Sequence, residues 1–274
     1  MQNDLTISVL GAIALNGRNG ELEFPGGRIE KAVLGHLALN ANRVLPVSAI
    51  QEAVWPGDRP ETSRKMIQNA VSRIRRVIAG NAAPTQNIQL VTRAPGYLLR
   101  IDNGAVDLNV FRSMVNSARE LLEDGDAVVA RDRLRRALDL WRGEALADLV
   151  EAGFACPELA AVEDERLTAM EDYFDAELAC DRFREMTPGL ERAIAQAPLR
   201  ERLRRQHMIA LYRSGRQAEA LATFRELREA LVTAYGIEPG PSLQAHHRMI
   251  LRHDPALLRS AARGRVERGS ANAS

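Results

Sequence analysis

Cysteine is almost absent: the 274 residues hold two, Cys156 and Cys180. Two isolated thiols are too few for a metal site or a disulfide framework, and read as reduced, semi-buried side chains. No twenty-residue apolar run and no basic-then-apolar leader occurs, so a soluble, cytoplasmic protein without a membrane partner is expected. The phosphate-cradling patterns G-x-x-x-x-G-K-[ST] and G-x-G-x-x-G are missing, which leaves Gly26-Gly27 as a turn. The five histidines, His36, His207, His246, His247 and His253, include no H-E-x-x-H and no Cys/His pair at metal spacing. His246-His247 reads as a solvated or core-edge pair. No G-x-S-x-G elbow is present. The carboxylate runs Glu163-Asp164-Glu165 and Glu171-Asp172 read as a solvated helix face, with Glu163 and Glu171 too far apart to share a proton. No catalytic residue, cofactor or metal is assigned, and an enzyme is not expected.

Aromatic content is low, at 4%, and lysine is confined to Lys31 and Lys65. Apolar residues make up 46% of the chain, ample for sizeable cores, and the length suits two domains. The formal net charge of +1 hides a split. Residues 1–104 carry 12 basic and 8 acidic side chains, residues 105–255 carry 21 and 27, and the tail from 256 carries 4 and 1. A basic front joined to an acidic rear fits a nucleic-acid module attached to one that binds something else.

The most informative stretch is Thr62–Ala79, TSRKMIQNAVSRIRRVIA. Ile67, Ala70, Val71, Ile74 and Ile78 recur at steps of three and four, which predicts one buried helix face. Thr62 or Ser63 can cap its start. The opposite face carries Lys65, Gln68, Asn69, Ser72, Arg73 and Arg76, and the segment has five basic residues and no acidic one. Arginine and lysine neutralise phosphates, while Arg, Gln and Asn pair with base edges in the major groove. An ordinary solvated face is the bland alternative for any basic helix, so its surroundings decide.

Those surroundings have a definite order. Residues 5–15 and 21–24, with turn signals at Asn16-Gly17 and Asn19-Gly20, predict a small antiparallel sheet. A helix is predicted over Ile29–Ala41, ended by Asn40-Ala41-Asn42-Arg43. A short one follows over Ser48–Val54, where Ser48 and Gln51 have capping-box spacing. After the basic helix, Gly80 to Pro84 form a break. Residues 88–92 and 97–101 then predict two strands around the turn Arg93-Ala94-Pro95-Gly96. Sheet, helix, helix, basic helix, hairpin is the winged helix-turn-helix plan, with Arg93 at the wing tip.

The runs KAVLGHLALNANRVLPVSAIQEAVW, RKMIQNAVSRIRRVI, LVTRAPGYLLRI and VDLNVF occur in this order. They resemble the DNA-binding domain of the Streptomyces antibiotic regulatory protein family, itself similar to the winged helix of OmpR-type response regulators. The resemblance implies a recognition helix at Thr62–Ala79 and a positioning helix at Ser48–Val54. It also implies binding to tandem direct repeats in promoters, one copy per repeat.

The rear half predicts helices. Phe111, Val115, Ala118, Leu121 and Leu122 form one stripe, and Leu134, Ala137, Leu138 and Trp141 a second, giving an antiparallel pair. Residues 143–156 read as short helix plus loop. Further helices are predicted from Pro157 to about Phe183, over Leu190–Ala195, Leu199–Tyr212 and Gln217–Tyr235, and one ending near His253. The turn RSGRQAEAL resembles a tetratricopeptide turn. WRGEALADL, PLRERLRRQHMIALYRSGRQAEAL and YGIEPGPSLQ resemble the bacterial transcriptional activation domain of the same family, in its small form without ATPase or receiver modules.

The expected fold is therefore an α+β N-terminal winged helix-turn-helix over residues 1–104. An all-α, tetratricopeptide-like helical-repeat domain follows over 105–255, and then a disordered tail over 256–274. The expected function is sequence-specific transcriptional activation. Its DNA-binding residues are Arg64, Lys65, Gln68, Asn69, Ser72, Arg73, Arg76 and Arg93. Gln68, Asn69 and Arg73 suit base reading, and Lys65, Arg76 and Arg93 suit phosphates, while Arg75 projects toward the flank for a phosphate or an ion pair. The resemblance implies four further things: double-stranded promoter DNA, RNA polymerase holoenzyme with its sigma factor, self-association on adjacent repeats, and a secondary-metabolite gene cluster as target. A helical-repeat scaffold, or a ligand-sensing repressor on the same fold, is the alternative. Nucleoid association in the cytoplasm follows from the DNA reading.

Overall fold

The computed structural model describes residues 5–17, 20–22, 27–82 and 88–258. The predicted strand over 21–24, the break at 80–84 and the tail thus fall partly outside the described residues. The chain forms two compact units that are interleaved in sequence: one takes residues 1–114 and 136–166, the other residues 115–135 and 167–274.

The first unit begins with a three-stranded antiparallel sheet, β1 (Thr6–Ser8), β2 (Ala14–Gly17) and β3 (Gly20–Glu21). Then come α1 (Arg28–Leu39), β4 (Val44–Pro46), α2 (Val47–Val54), α3 (Ser63–Asn81), β5 (Ile88–Arg93) and β6 (Gly96–Ile101). β4, β5 and β6 make a second antiparallel sheet in the order β4-β6-β5. β4 has no periodicity to announce it, being three residues long and ending in proline. It pairs Val44 with Leu98 and Pro46 with Gly96, so the wing is three-stranded rather than a bare hairpin. Asn42, at φ +64°, turns the chain from α1 into β4, a conformation asparagine tolerates. Its amide donates to the Ile101 carbonyl at 2.9 Å, and its side-chain oxygen accepts from the Ile101 N–H at 3.0 Å.

The start of the acidic segment belongs to this unit. α4 (Asp107–Asp124) opens here, and the Asp107 carboxylate accepts from the Val9 and Leu10 N–H groups at 2.8 and 3.2 Å. α6 (Ala147–Glu151) contributes Asp148, which accepts from the Ile13 N–H at 2.9 Å. The N-terminal segment is thus bonded to Asp107 and Asp148, and the unit includes residues past 104.

The second unit is helical. α7 (Pro157–Ala179), α8 (Phe183–Gln196) and α9 (Glu201–Arg213) share a core of Phe174, Leu178, Met186, Leu190, Ala193, Ile194, Leu203 and Ala210. α9, α10 (Gln217–Tyr235) and α11 (Pro241–Leu251) close a second core around Met208, Leu211, Phe224, Leu227, Leu243 and Ile250. Gly215, at φ +77°, makes the tight turn between α9 and α10 that the sequence predicts. The remaining helix, α5 (Ala127–Leu138), follows α4.

Three expectations are corrected. Glu171 and Asp172 are not on a solvated face: both are buried. Asp172 pairs with Arg119 and Arg202 at 2.7 Å each, and Glu171 with Arg200 at 3.2 Å. Arg119 lies on α4, Arg202 on α9 and Arg200 at the N-cap of α9, and burial is tolerated because these charges are paired. Ser48 and Gln51 form no capping box, because the N-cap position is Pro46 and Gln51 bonds elsewhere. Ala256–Leu258 do not begin a disordered tail but lie in a 3-10 turn, Pro255–Leu258, that buries Leu257 in the second core.

Candidate nucleic-acid interface

α3 owes its position to its apolar stripe. Ile67, Ala70, Val71, Ile74 and Ile78 are all buried, as the periodicity requires. Each fully buried aliphatic side chain of that size contributes about 1.5–3 kcal/mol, so rotating the helix about its axis is prohibitive. Neither Thr62 nor Ser63 caps the helix through its side chain. Ser63 is buried instead and accepts from Gln51 Nε2 at 2.8 Å, joining α2 to the start of α3. Arg28, at the start of α1, donates to the Val54 carbonyl at the end of α2 at 3.0 Å.

With the stripe fixed, Arg64, Lys65, Gln68, Asn69, Ser72, Arg73 and Arg76 are all exposed on α3, and Arg93 is exposed at the tip of the wing. Ser72 turns its hydroxyl back onto the Gln68 carbonyl at 3.0 Å, which leaves its oxygen as an acceptor. Arg73 stands at the edge of the exposed arc. Its Nη1 donates to Glu30 Oε1 of α1 at 2.6 Å, and the side chain remains 49% exposed. The base reader expected at this position is thus held by a buried carboxylate along one side of its guanidinium. Glu30 was not legible as part of the site, because the contact joins residues 43 positions apart.

Arg75 has a different task from the one expected. Its Nε donates to the Leu90 carbonyl and its Nη2 to Thr92 Oγ1, both at 2.7 Å. The residue that read as a phosphate contact or ion pair is a latch between α3 and β5. It sets where the wing tip, and so Arg93, stands relative to the exposed face of α3. β5 and β6 pair without a bulge from Ile88 opposite Ile101 to Arg93 opposite Gly96.

This arrangement can offer cations, amides and a hydroxyl along one helix, with a second cation on a braced hairpin. Among the described residues no helix is long and apolar enough to cross a membrane. His246 Nδ1 lies 2.8 Å from the Ser242 carbonyl and His247 stacks on Phe224 at 3.9 Å, so the pair sits at a core edge.

Sequence comparison agrees with this geometry. Residues 23–99 match the family described as transcriptional regulatory protein, C terminal, and residues 106–251 match the bacterial transcriptional activator domain. A winged helix-turn-helix joined to that helical domain defines a transcriptional regulator, not an enzyme. The chain is similar to regulatory protein DnrI of Streptomyces peucetius, at 35% identity over 93% of this chain and 95% of that protein. It is 36% identical to regulatory protein AfsR of Streptomyces coelicolor over 94% of this chain, spanning only 25% of that longer protein. Among solved structures, Mycobacterium tuberculosis EmbR in complex with a low affinity phosphopeptide superposes with a TM-score of 0.84 at 30% identity, covering 98% of this chain and 71% of that one. The chain belongs to the Streptomyces antibiotic regulatory protein family.

Proposed function

We propose that this regulator activates transcription by binding tandem direct repeats in promoter DNA, one copy per repeat, and recruiting RNA polymerase holoenzyme with its sigma factor. One observation carries the reading: Arg64, Lys65, Gln68, Asn69, Ser72 and Arg76 are exposed together along a helix whose opposite face is wholly buried. Gln68 and Asn69 read base edges in the major groove, and Arg64, Lys65 and Arg76 neutralise phosphates beside them. Arg93 reaches the backbone from the wing. The helical residues serve copy-to-copy and polymerase contacts, and residues 105–255, with 27 acidic against 21 basic side chains, are unsuited to DNA. The target by family resemblance is a secondary-metabolite gene cluster, and the work is done on the nucleoid in the cytoplasm.

Footprinting on the promoters beside the protein's own gene, at near-physiological salt with excess competitor DNA, tests this. A footprint spanning repeated sites is expected. Gln68→Ala should lose about 1–3 kcal/mol on the specific site and relax its preference, whereas Arg93→Ala should weaken all DNA alike and lower the salt slope by about 1. Binding seen only at low salt, indifferent to sequence, would transfer the reading to a helical-repeat scaffold.

A further inference from the structure

His36, Cys156 and Glu158 are scattered in the sequence and adjacent in the first unit. One ligand atom from each lies within 4.8 Å of the other two. His36 comes from α1, and its side chain is 2% exposed. Neither of its ring nitrogens has a hydrogen-bond partner, and Nε2 stands 3.5 Å from Glu158 Oε2, itself buried without a hydrogen bond. Cys156 and Glu158 flank Pro157 at the start of α7. Asn40 Nδ2 donates to Glu158 Oε1 at 3.0 Å, which orients the carboxylate. The ring of Phe154 stands edge-on to His36 at 5.7 Å and keeps that side dry.

A buried imidazole whose nitrogens make no hydrogen bond, with a carboxylate oxygen 3.5 Å from Nε2, calls for an explanation. A cation held between them would satisfy one of the two nitrogens. The donor set is one nitrogen, one sulfur and one carboxylate oxygen. Calcium and magnesium select oxygen alone, whereas zinc and its neighbours in the transition series accept this mixture. We propose that His36, Cys156 and Glu158 form a binding site for one divalent transition-metal ion of the zinc class, with Asn40 orienting the carboxylate and a fourth position left for water or a small ligand. Glu158 and Asn40 also line a cleft of about 540 Å³, together with Arg43, Asn109 and Arg112. The site ties α1, which packs on the recognition helix and supplies Glu30 to Arg73, to the start of α7.

The full chain is stripped with chelator under reducing conditions, then titrated with zinc by calorimetry and with cobalt(II) by absorption. One equivalent of each is expected, with a near-ultraviolet thiolate-to-cobalt charge-transfer band. Cys156→Ser should abolish that band, and Glu158→Gln should weaken zinc binding at least tenfold. Both positions are partly exposed, so circular dichroism should show the variants folded even if a change at buried His36 unfolds the chain. Cys180→Ser and His246→Ala should leave stoichiometry and band intact. No stoichiometric uptake, a band that survives Cys156→Ser, or uptake lost in Cys180→Ser or His246→Ala would overturn the assignment.

Discussion

Arg73 shows how one contact changes what a substitution measures. It is half exposed on the face that would meet DNA, and it also holds the buried carboxylate of Glu30 at 2.6 Å. Arg73→Ala is therefore expected to do two things at once. It should lose about 1–3 kcal/mol on the specific site. It should also lower unfolding stability by about 1–2 kcal/mol, because the buried Glu30 carboxyl group loses its hydrogen-bond partner; exposure of Arg73 keeps this below the cost of breaking a fully buried pair. Gln68→Ala should show only the first effect. Anisotropy titrations paired with urea melts separate the two, and an unchanged melt for Arg73→Ala would remove the Glu30 contact from the account. Here the sequence is a partial guide. Helical periodicity identifies Arg73 as outward-facing, yet only the approach of α1 supplies the acid. Arg75 is the parallel case: its spacing marks it as a flank residue, and the wing turns it into a latch.

The wing depends on a single missing side chain. A Cβ on Gly96 would stand 1.9 Å from the Leu45 carbonyl oxygen, because β4 and β6 meet backbone to backbone there. Neither strand can yield without breaking the Pro46–Gly96 register. Gly96→Ala should cost about 3 kcal/mol or more, the upper end for overpacking, and specific DNA binding should fall with it as Arg93 loses its support. A urea midpoint within error of the parent would contradict the packing of β4 against β6. Secondary structure itself was readable to different depths. α10 runs Gln217–Tyr235, as its apolar pattern and the Gly215 turn predict, and α1 and α2 start one residue early at most. β4 escaped notice because three residues carry no period, and α8 began seven residues before the expected Leu190 because the stretch ahead of it, with Pro188 inside, does not read as helix. The acidic run in α7 misled for another reason. A carboxylate run looks solvated until the arginines of other helices are folded over it.

At the scale of the whole molecule, charge is divided along the chain. A basic front attached to an acidic rear favours DNA on one part and protein on the other. On the proposed reading, two copies bound head to tail on direct repeats would meet through two different faces, so their contact would depend on the helical phase of the repeats. Inserting about half a turn of DNA, roughly 5 bp, between two repeats should abolish cooperative binding, and inserting a full turn of about 10 bp should restore much of it. A gel-shift series on such promoters measures this, and cooperativity that ignores phase would exclude contact between neighbouring copies.

The sequence by itself determined the element order apart from β4, the buried face of α3, the exposed cations and amides opposite it, and the tight turn of the α9–α10 hairpin. Those features follow from local rules: a helix repeats every 3.6 residues, a strand every two, and a turn residue acts on its own backbone. The tertiary structure alone decided that Glu30 holds Arg73, that Arg75 braces the wing and that Glu171 and Asp172 are buried among arginines. It alone brings His36 beside Cys156 and Glu158, 120 residues away in the case of Cys156. Each of these depends on side chains that meet only when separate elements pack, and no period along the chain encodes such a meeting.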